Sequence, residues 1–385
     1  MTLGKKSSIR ILHVVGGMNR GGIETWLMHI LRHIDRDRFH MDFLVHTTQP
    51  CAYDEEIRAL GSKIIPCLHP SRPWLYAKNF KRILHEYGSY DIVHSHVHHF
   101  SGYVLRLAKQ AGVPICIAHS HNDTSLKEAV AGLYRQLYLI LMKRWITQYA
   151  TLGLAASRKA AVNLFGSSWQ TDKRWQTFSY SIDLLPFHNQ IDRQALRAEL
   201  GIPPEAFVIG HVGRFEQQKN HQFLLDIVAE IAKQEPKMHL LLIGDGLLRP
   251  DIEQKAIQMG LADRVIFTGL RPDVPRLMLG AMDIFLFPSL HEGLGLVLVE
   301  AQAAGLVCVF SDVVPDEADV VKPLVQRMSL SESAFTWAKT VLAAKASAAT
   351  ISQANALLAV EESPFNIEVG VKKLEEIYQT TLSKQ

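Results

Sequence analysis

Arg214 and Lys219 stand five residues apart in "HVGRFEQQKNH". The run before them reads as a strand and the run after them as a helix. Two cations beside a helix N-terminus suit a diphosphate, because the unpaired N–H groups and the helix macrodipole add to the positive charge. Asn220 stands where it would cap that helix. A surface turn with two solvated cations is the other reading of the same residues. Glu292 and Glu300 pose a different problem, since they sit in the otherwise apolar "PSLHEGLGLVLVEAQAAG". A strand over Asp283–Ser289 makes Pro288–Gly295 a loop and the run from about Gly295 to Ala304 a helix. Glu292 then belongs to the loop and Glu300 to the helix, so they are not an acid/base dyad on one face. A carboxylate among Leu298, Val299, Ala301 and Ala303 is costly unless its oxygens are satisfied. The vicinal hydroxyls of a ribose would satisfy them, and Gly293 and Gly295 leave N–H groups open to an anion.

The elements that position these residues recur twice. Ile9–Val15, Met41–Val45, Lys63–Pro66, Asp91–His96 and Pro114–His121 read as buried strands, with helical patterns over Gly21–Ile34, Leu75–Glu86 and Ser101–Ala111 between them. The rhythm restarts with Phe207–Gly213, Met238–Gly246, Arg264–Gly269, Asp283–Ser289 and Leu306–Asp312, separated by helices such as His221–Gln234 and Leu247–Met259. Alternation of this kind builds parallel sheets covered on both faces. The expected fold class is α/β, with two doubly wound Rossmann-like domains facing a central cleft. The expected division is 1–182, 183–365 and a C-terminal amphipathic helix over 366–385 that returns to the first domain, with the linker near Phe178–Gln190. Ligands of such sheets bind at the carboxyl ends of the strands, where Gly213, Gly244 and the Phe267–Val274 loop fall.

The 385 residues suit two domains, and 48% hydrophobic with 21% charged residues is an ordinary globular balance. Four scattered cysteines without a CxxC pair speak against a disulfide framework or a thiolate zinc site and fit a reducing cytoplasm. No apolar run reaches the length of a transmembrane helix. The stretch after Lys5, Lys6 and Arg10 is too short for a signal peptide. The net charge of +3 conceals an asymmetry: residues 1–185 carry 23 Lys+Arg against 13 Asp+Glu, and the remainder carries 18 against 25. The first part is therefore +10 and the second −7. A basic half is either ordinary solvated surface or a face turned toward an anionic partner.

The combination of "HEGLGLVLVEAQAAG", "GRFEQQKNH" and "GGMNRGGIE" (Gly16–Glu24) resembles the retaining glycosyltransferases of family 4, which have the GT-B fold. "AHSHND" (Ala118–Asp123) and "FSDVVPDEADV" (Phe310–Val320) are similar to the bacterial exopolysaccharide and capsule branch. The resemblance implies a metal-independent, hexosyl-type transfer with no cofactor beyond a nucleotide-diphosphate sugar, UDP favoured over GDP. It implies that Arg214 and Lys219 hold the diphosphate, Glu300 the ribose and Glu292 the donor sugar. Gly21, Gly22, His291, Gly293, Leu294, Gly295 and Leu296 would line the donor, with Leu270 and Arg271 by the base. "YSID" (Tyr180–Asp183) departs from the usual linker, and His291 stands where an aromatic or small residue is common. A nucleotide-sugar epimerase of the same fold and a non-catalytic GT-B partner subunit are the rival readings. No GxGxxG follows either first strand, which disfavours a dinucleotide oxidoreductase. No nucleic-acid partner is expected.

His94, His96, His98, His99, His119 and His121 crowd two predicted strand ends. Alternating histidines on strands could ligate a metal, but the expectation here is no metal. By motif position His119 contacts the transferred sugar, with His121 close behind and His96 on the acceptor side. Ser71–Leu84 and Leu133–Ile146 mix aromatic, aliphatic and basic residues at helical spacing. They read either as core helices with basic edges or as contacts with an anionic membrane that carries a lipid-linked glycan acceptor. The expected location is cytoplasmic, with the inner membrane face as the open alternative.

Overall fold

The structure, a computed structural model, describes residues 8–125, 128, 130–346 and 351–384; Lys5 and Lys6 lie outside them. The chain divides into two compact units, Met1–Ser181 with Ile367–Gln385, and Ile182–Asn366. In the first, seven parallel strands run in the order β3-β2-β1-β4-β5-β6-β7. They are β1 (Ile9–Val15), β2 (Phe39–Val45), β3 (Ile64–Pro66), β4 (Ile92–Ser95), β5 (Ile115–Ser120), β6 (Leu152–Ala155) and β7 (Trp175–Thr177). Helices α1 (Gly22–His33), α2 (Asp54–Ala59), α3 (Pro73–Glu86), α4 (Ser101–Gln110), α5 (Leu133–Tyr149) and α6 (Arg158–Phe165) connect them.

The second unit contains α7 (Arg193–Glu199), β8 (Phe207–Val212), α8 (His221–Ala232), β9 (Met238–Ile243), α9 (Arg249–Gln258), β10 (Val265–Phe267) and α10 (Val274–Gly280). It continues with β11 (Ile284–Phe287), α11 (Leu296–Ala303), β12 (Val307–Ser311), β13 (Val325–Met328), α12 (Ala334–Ala346) and α13 (Gln353–Glu361). Its sheet runs β10-β9-β8-β11-β12-β13. The order reverses between β1 and β4 in one sheet and between β8 and β11 in the other. These are the switch points at which adjacent crossovers leave in opposite directions and a crevice opens beyond the strand ends. The central strands are buried on both faces, which is why they read as continuous apolar runs.

Three strands went unread in the sequence. β6, β7 and β13 have four, three and four residues, and every residue of β13 is only half-buried. Too few apolar positions remain there to impose a period. The last helix, α14 (Ile367–Ser383), buries Ile367, Gly370, Val371, Leu374 and Tyr378. That helical stripe lies against α1 in the first unit. Its Glu375 carboxylate accepts a 2.9 Å bond from the Asp35 N–H just beyond α1. Among the described residues no helix is long and apolar enough to cross a membrane.

Candidate functional site

In the second unit the loops beyond β8, β9, β10 and β11 are stitched together by backbone hydrogen bonds. Phe215 donates to Asp245 (3.0 Å), Gly244 to Gly269 (2.9 Å) and Leu290 to Gln218 (2.8 Å). The seam between the first two loops is tight. A Cβ on Gly244 would run into the Gly213 carbonyl, and Gly244 holds φ +140°, where L side chains are strained. Gly213 in turn leaves room for the Lys219 stem.

Lys219 reaches across 73 residues of sequence, and its Nζ donates to Glu292 Oε1 at 2.7 Å. The same ammonium lies 4.5 Å from the Phe287 ring centroid. Glu292 is buried, so the ion pair sits in surroundings of low polarity. Gln218 fixes the loop from the other side, its Nε2 donating to the His291 carbonyl at 2.9 Å. Asn220 does not cap α8 with its side chain. It occupies the left-handed region at φ +55° and donates Nδ2–H to the Pro288 carbonyl at 3.1 Å. The expected cap is thus a loop-to-loop tether. Neither Gln218 nor Asn220 could be assigned from sequence, because their partners come from a different crossover.

Arg214 is exposed, 3.0 Å from Glu216. Gly295 precedes α11 with φ +81°, Leu294 and Gly293 are buried, and Leu296 is half-buried. Glu300 lies one turn along α11 among buried Leu298, Val299, Ala301 and Ala303. It is half-buried, and among the described residues its carboxylate has no hydrogen-bond or ionic partner. Burial pushes its carboxyl up to about 7. Its neighbour Gln302 is fully satisfied: Nε2 donates to Leu298 and Ala318 carbonyls, and Oε1 accepts from Val320 and Val321. Leu270 is exposed. Arg271 turns toward Asp273, donating twice at 2.7 Å, so its guanidinium is already engaged.

In the first unit Gly21 and Gly22 open α1, and a Cβ on Gly21 would meet the Glu24 carboxylate. Beyond them five histidines converge at the switch point. His13 Nδ1 lies 2.9 Å from His96 Nε2, and His96 Nδ1 lies 2.9 Å from His121 Nε2. His121 Nδ1 meets the Tyr180 hydroxyl. A second branch runs from the Tyr378 hydroxyl to His94 Nδ1 (2.8 Å) and from His94 Nε2 to His119 Nδ1 (3.1 Å). Burial drives His13 and His121 down to about 3, and His94, His96 and His119 well below the ordinary range. All five are neutral at pH 7. The ring nitrogens of His13, His94 and His96 lie close enough to share an ion, as do those of His96, His119 and His121. Imidazole-to-imidazole hydrogen bonds account for that proximity, and both His96 nitrogens are spent on neighbours. His13 Nε2, His119 Nε2 and Trp26 Nε1 are buried without partners among the described residues. The Trp26 ring stands edge-on to His119 at 5.3 Å.

A separate knot joins His98, His99 and Thr124 to Glu128, which also accepts from Asn163 and Lys143. Burial alone would raise the Glu128 carboxyl, but these hydrogen bonds hold it down at about 2. The two paired tyrosines and Trp26 escaped the sequence reading because only the fold brings them to the histidine strands.

The chain matches known proteins along most of its length. Residues 192–345 match the family model described as "Glycosyl transferases group 1" and residues 20–165 that of "Glycosyltransferase Family 4". EpsF of Bacillus subtilis (strain 168), named as a glycosyltransferase, is 39% identical over 345 residues, covering 88% of each chain. An Escherichia coli UDP-Gal:alpha-D-GlcNAc-diphosphoundecaprenol alpha-1,3-galactosyltransferase is 26% identical over 324 residues, 80% of each chain. Among solved structures, Anabaena HepE in complex with UDP-glucose superposes with a TM-score of 0.80 at 21% identity, covering 97% of this chain and 100% of that one. That likeness in two parallel-sheet units and the extended identity with EpsF make one statement secure: the chain belongs to the GT-B glycosyltransferases.

Proposed function

We propose that the protein transfers a hexose from a UDP-sugar, with retention at the anomeric carbon and without a metal, to a glycan or lipid-linked glycan acceptor. The second unit takes the donor and the first unit the acceptor, on the cytoplasmic side of a cell membrane and in the synthesis of a surface polysaccharide. The observation that carries the reading is the Lys219–Glu292 pair, held at 2.7 Å by loops from either side of the sheet's switch point. A donor sugar with hydroxyls and a departing diphosphate needs an acceptor and a cation there. Arg214 and Lys219 would stabilise the negative charge that develops on the leaving diphosphate, a preorganised electrostatic contribution. Glu300, a half-buried carboxylate without a partner among the described residues, would accept from the ribose hydroxyls. His119 would contact a sugar hydroxyl through its buried Nε2, which like that of His13 has no partner among the described residues, while both nitrogens of His121 are engaged.

A galactosyltransferase acting on a diphosphoundecaprenol acceptor among the relatives favours transfer over epimerisation. The test is nucleotide release from UDP-, GDP- and ADP-sugars, with and without a diphosphoundecaprenol-linked monosaccharide, followed by NMR of the new linkage. Acceptor-dependent UDP release with a retained anomer is the expected result. Acceptor-independent conversion of the donor sugar would replace the reading with an epimerase.

A further inference from the structure

Helix α5 has two apolar faces. Leu139, Met142 and Ile146, spaced three and four apart, are buried, and α5 lies along α4. The approach is close: a Cβ on Gly102 of α4 would run into the Met142 carbonyl. The opposite face repeats the same spacing with Leu133, Leu137, Ile140 and Leu141, and none of the described residues covers it. Leu133 is 69%, Leu137 56% and Ile140 65% exposed, and Tyr134 at the start of this face is more exposed still. Elsewhere among the described residues exposed large apolar side chains are scattered, which is ordinary for a protein surface. A contiguous stripe along one helix is not.

The stripe continues sideways onto α3. Tyr103 of α4 stacks on Trp145 of α5 at 5.8 Å and donates its hydroxyl to the Pro73 carbonyl at 2.8 Å. Pro73 opens α3, and the next residue, Trp74, is 71% exposed. The surrounding charge is mostly positive: the acids beside the two helices are Glu86, paired with Arg82 at the end of α3, and Glu128, which accepts from Lys143 of α5. No Asp or Glu occurs from 57 to 85 or from 129 to 171. Exposed Arg72, Lys78 and Lys81 border α3, and exposed Arg135 and Arg144 lie on α5.

We infer that this α3–α5 face docks the enzyme on an anionic lipid bilayer. Aliphatic side chains enter the acyl boundary, the aromatic rings sit at the headgroups, and the basic residues meet anionic lipid. A second copy of this chain fits less well, because two such faces would bring together more cations than Glu86 and Glu128, each already paired within the chain, could balance. The inference rests on the proposed lipid-linked acceptor for its purpose, while its geometry belongs to the first unit alone.

The full chain is sedimented with vesicles of phosphatidylcholine alone and of equal parts phosphatidylcholine and phosphatidylglycerol. Three proteins are compared: wild type, Leu137→Glu with Ile140→Glu, and Arg144→Glu. These positions are exposed, so all three should melt alike and give the same thermal shift with UDP-sugar. Wild type should bind the anionic vesicles in preference. The double variant should lose about tenfold or more, the weight of two apolar side chains returned to water. Arg144→Glu should weaken binding to the anionic vesicles and leave the residual binding less salt-sensitive than that of wild type. Equal vesicle binding by all three proteins would overturn the inference. So would a wild-type dimer in sedimentation equilibrium that the double variant converts to monomer. Vesicle binding without any glycosyl transfer would sink the proposed reaction and leave the docking face standing.

Discussion

The two switch points of this protein share a topology and differ in their chemistry. On and just past β1, β4 and β5 lie five imidazoles, all neutral, bonded to one another and to Tyr180 and Tyr378. Beyond β8 and β11 lie the charged Arg214 and the Lys219–Glu292 pair, and on the helix that follows lies Glu300, without a partner among the described residues and pushed up to about 7. The parallel sheet supplies the same crevice in both places. What occupies it decides whether that crevice can bind a polyanion. Neutral imidazoles offer single hydrogen bonds of adjustable direction, suited to hydroxyls. The cations on the other side offer a field suited to a diphosphate.

The largest way to break this contrast is acid. Each buried histidine of the first unit has a folded-state pKa well below the unfolded value near 6.5, so its contribution is present above 6.5 and is lost as pH falls below it. The loss is roughly 1.4 kcal/mol per pH unit for each group. With five such groups at one switch point, hydrogen exchange corrected for intrinsic rates should show β4 and β5 losing protection before β11 and β12 between pH 7.5 and 5.5. Equal loss in both sheets would contradict the contrast.

Next in size is the charged pair. Lys219→Ala should lower transfer by about a hundredfold or more and destabilise the protein by about 3 kcal/mol, because Glu292 is left buried without its partner. Adding Glu292→Gln should recover most of the melting temperature and none of the activity. Recovery of activity would show that the pair is structural.

Glu300 has the opposite sign to the histidines. Its folded-state pKa of about 7 lies above the ordinary carboxyl value, so its contribution to stability is full below about 4.5 and fades as pH rises through 7. Glu300→Gln should therefore melt higher than wild type at pH 8 and match it at pH 5. UDP-sugar affinity should fall about tenfold in the variant at pH 8, and the wild-type rise in affinity across pH 7 should flatten. An unchanged affinity would remove Glu300 from the ribose. The smallest effect concerns the tether: Asn220→Ala should cost about 1–2 kcal/mol, from the lost bond to Pro288 and the left-handed backbone, with Asn220→Gly costing less. Differential scanning calorimetry separates the two.

Much of this was legible in advance. The central strands are apolar throughout because both faces are covered, and that pattern is local. β6 (LGLA), β7 (WQT) and β13 (VQRM) were not legible, since glycine or polar residues interrupt their apolar ones, whereas the equally short β3, β4, β10 and β11 carry adjacent apolar pairs. The placement of Glu292 in a loop and Glu300 on a helix followed from the strand, glycine and helix signals around them. The partner of Glu292 did not, because Lys219 is 73 residues away. Asn220 was misread for the same reason: a capping residue and a tether look alike until Pro288 is in view.

The sequence by itself determined the α/β alternation and the residue types at each strand end, because period and composition act over a few neighbours. Only the tertiary structure decided which of those groups are paired, which are neutral and which are left open. Lys219 met Glu292, Arg271 turned to Asp273, and His96 spent both nitrogens on other histidines. Glu300 alone among these kept its oxygens without a protein partner among the described residues. Pairing and desolvation depend on which strand ends the crossovers bring together, and that is set by the packing of whole sheets, not by any local run of residues.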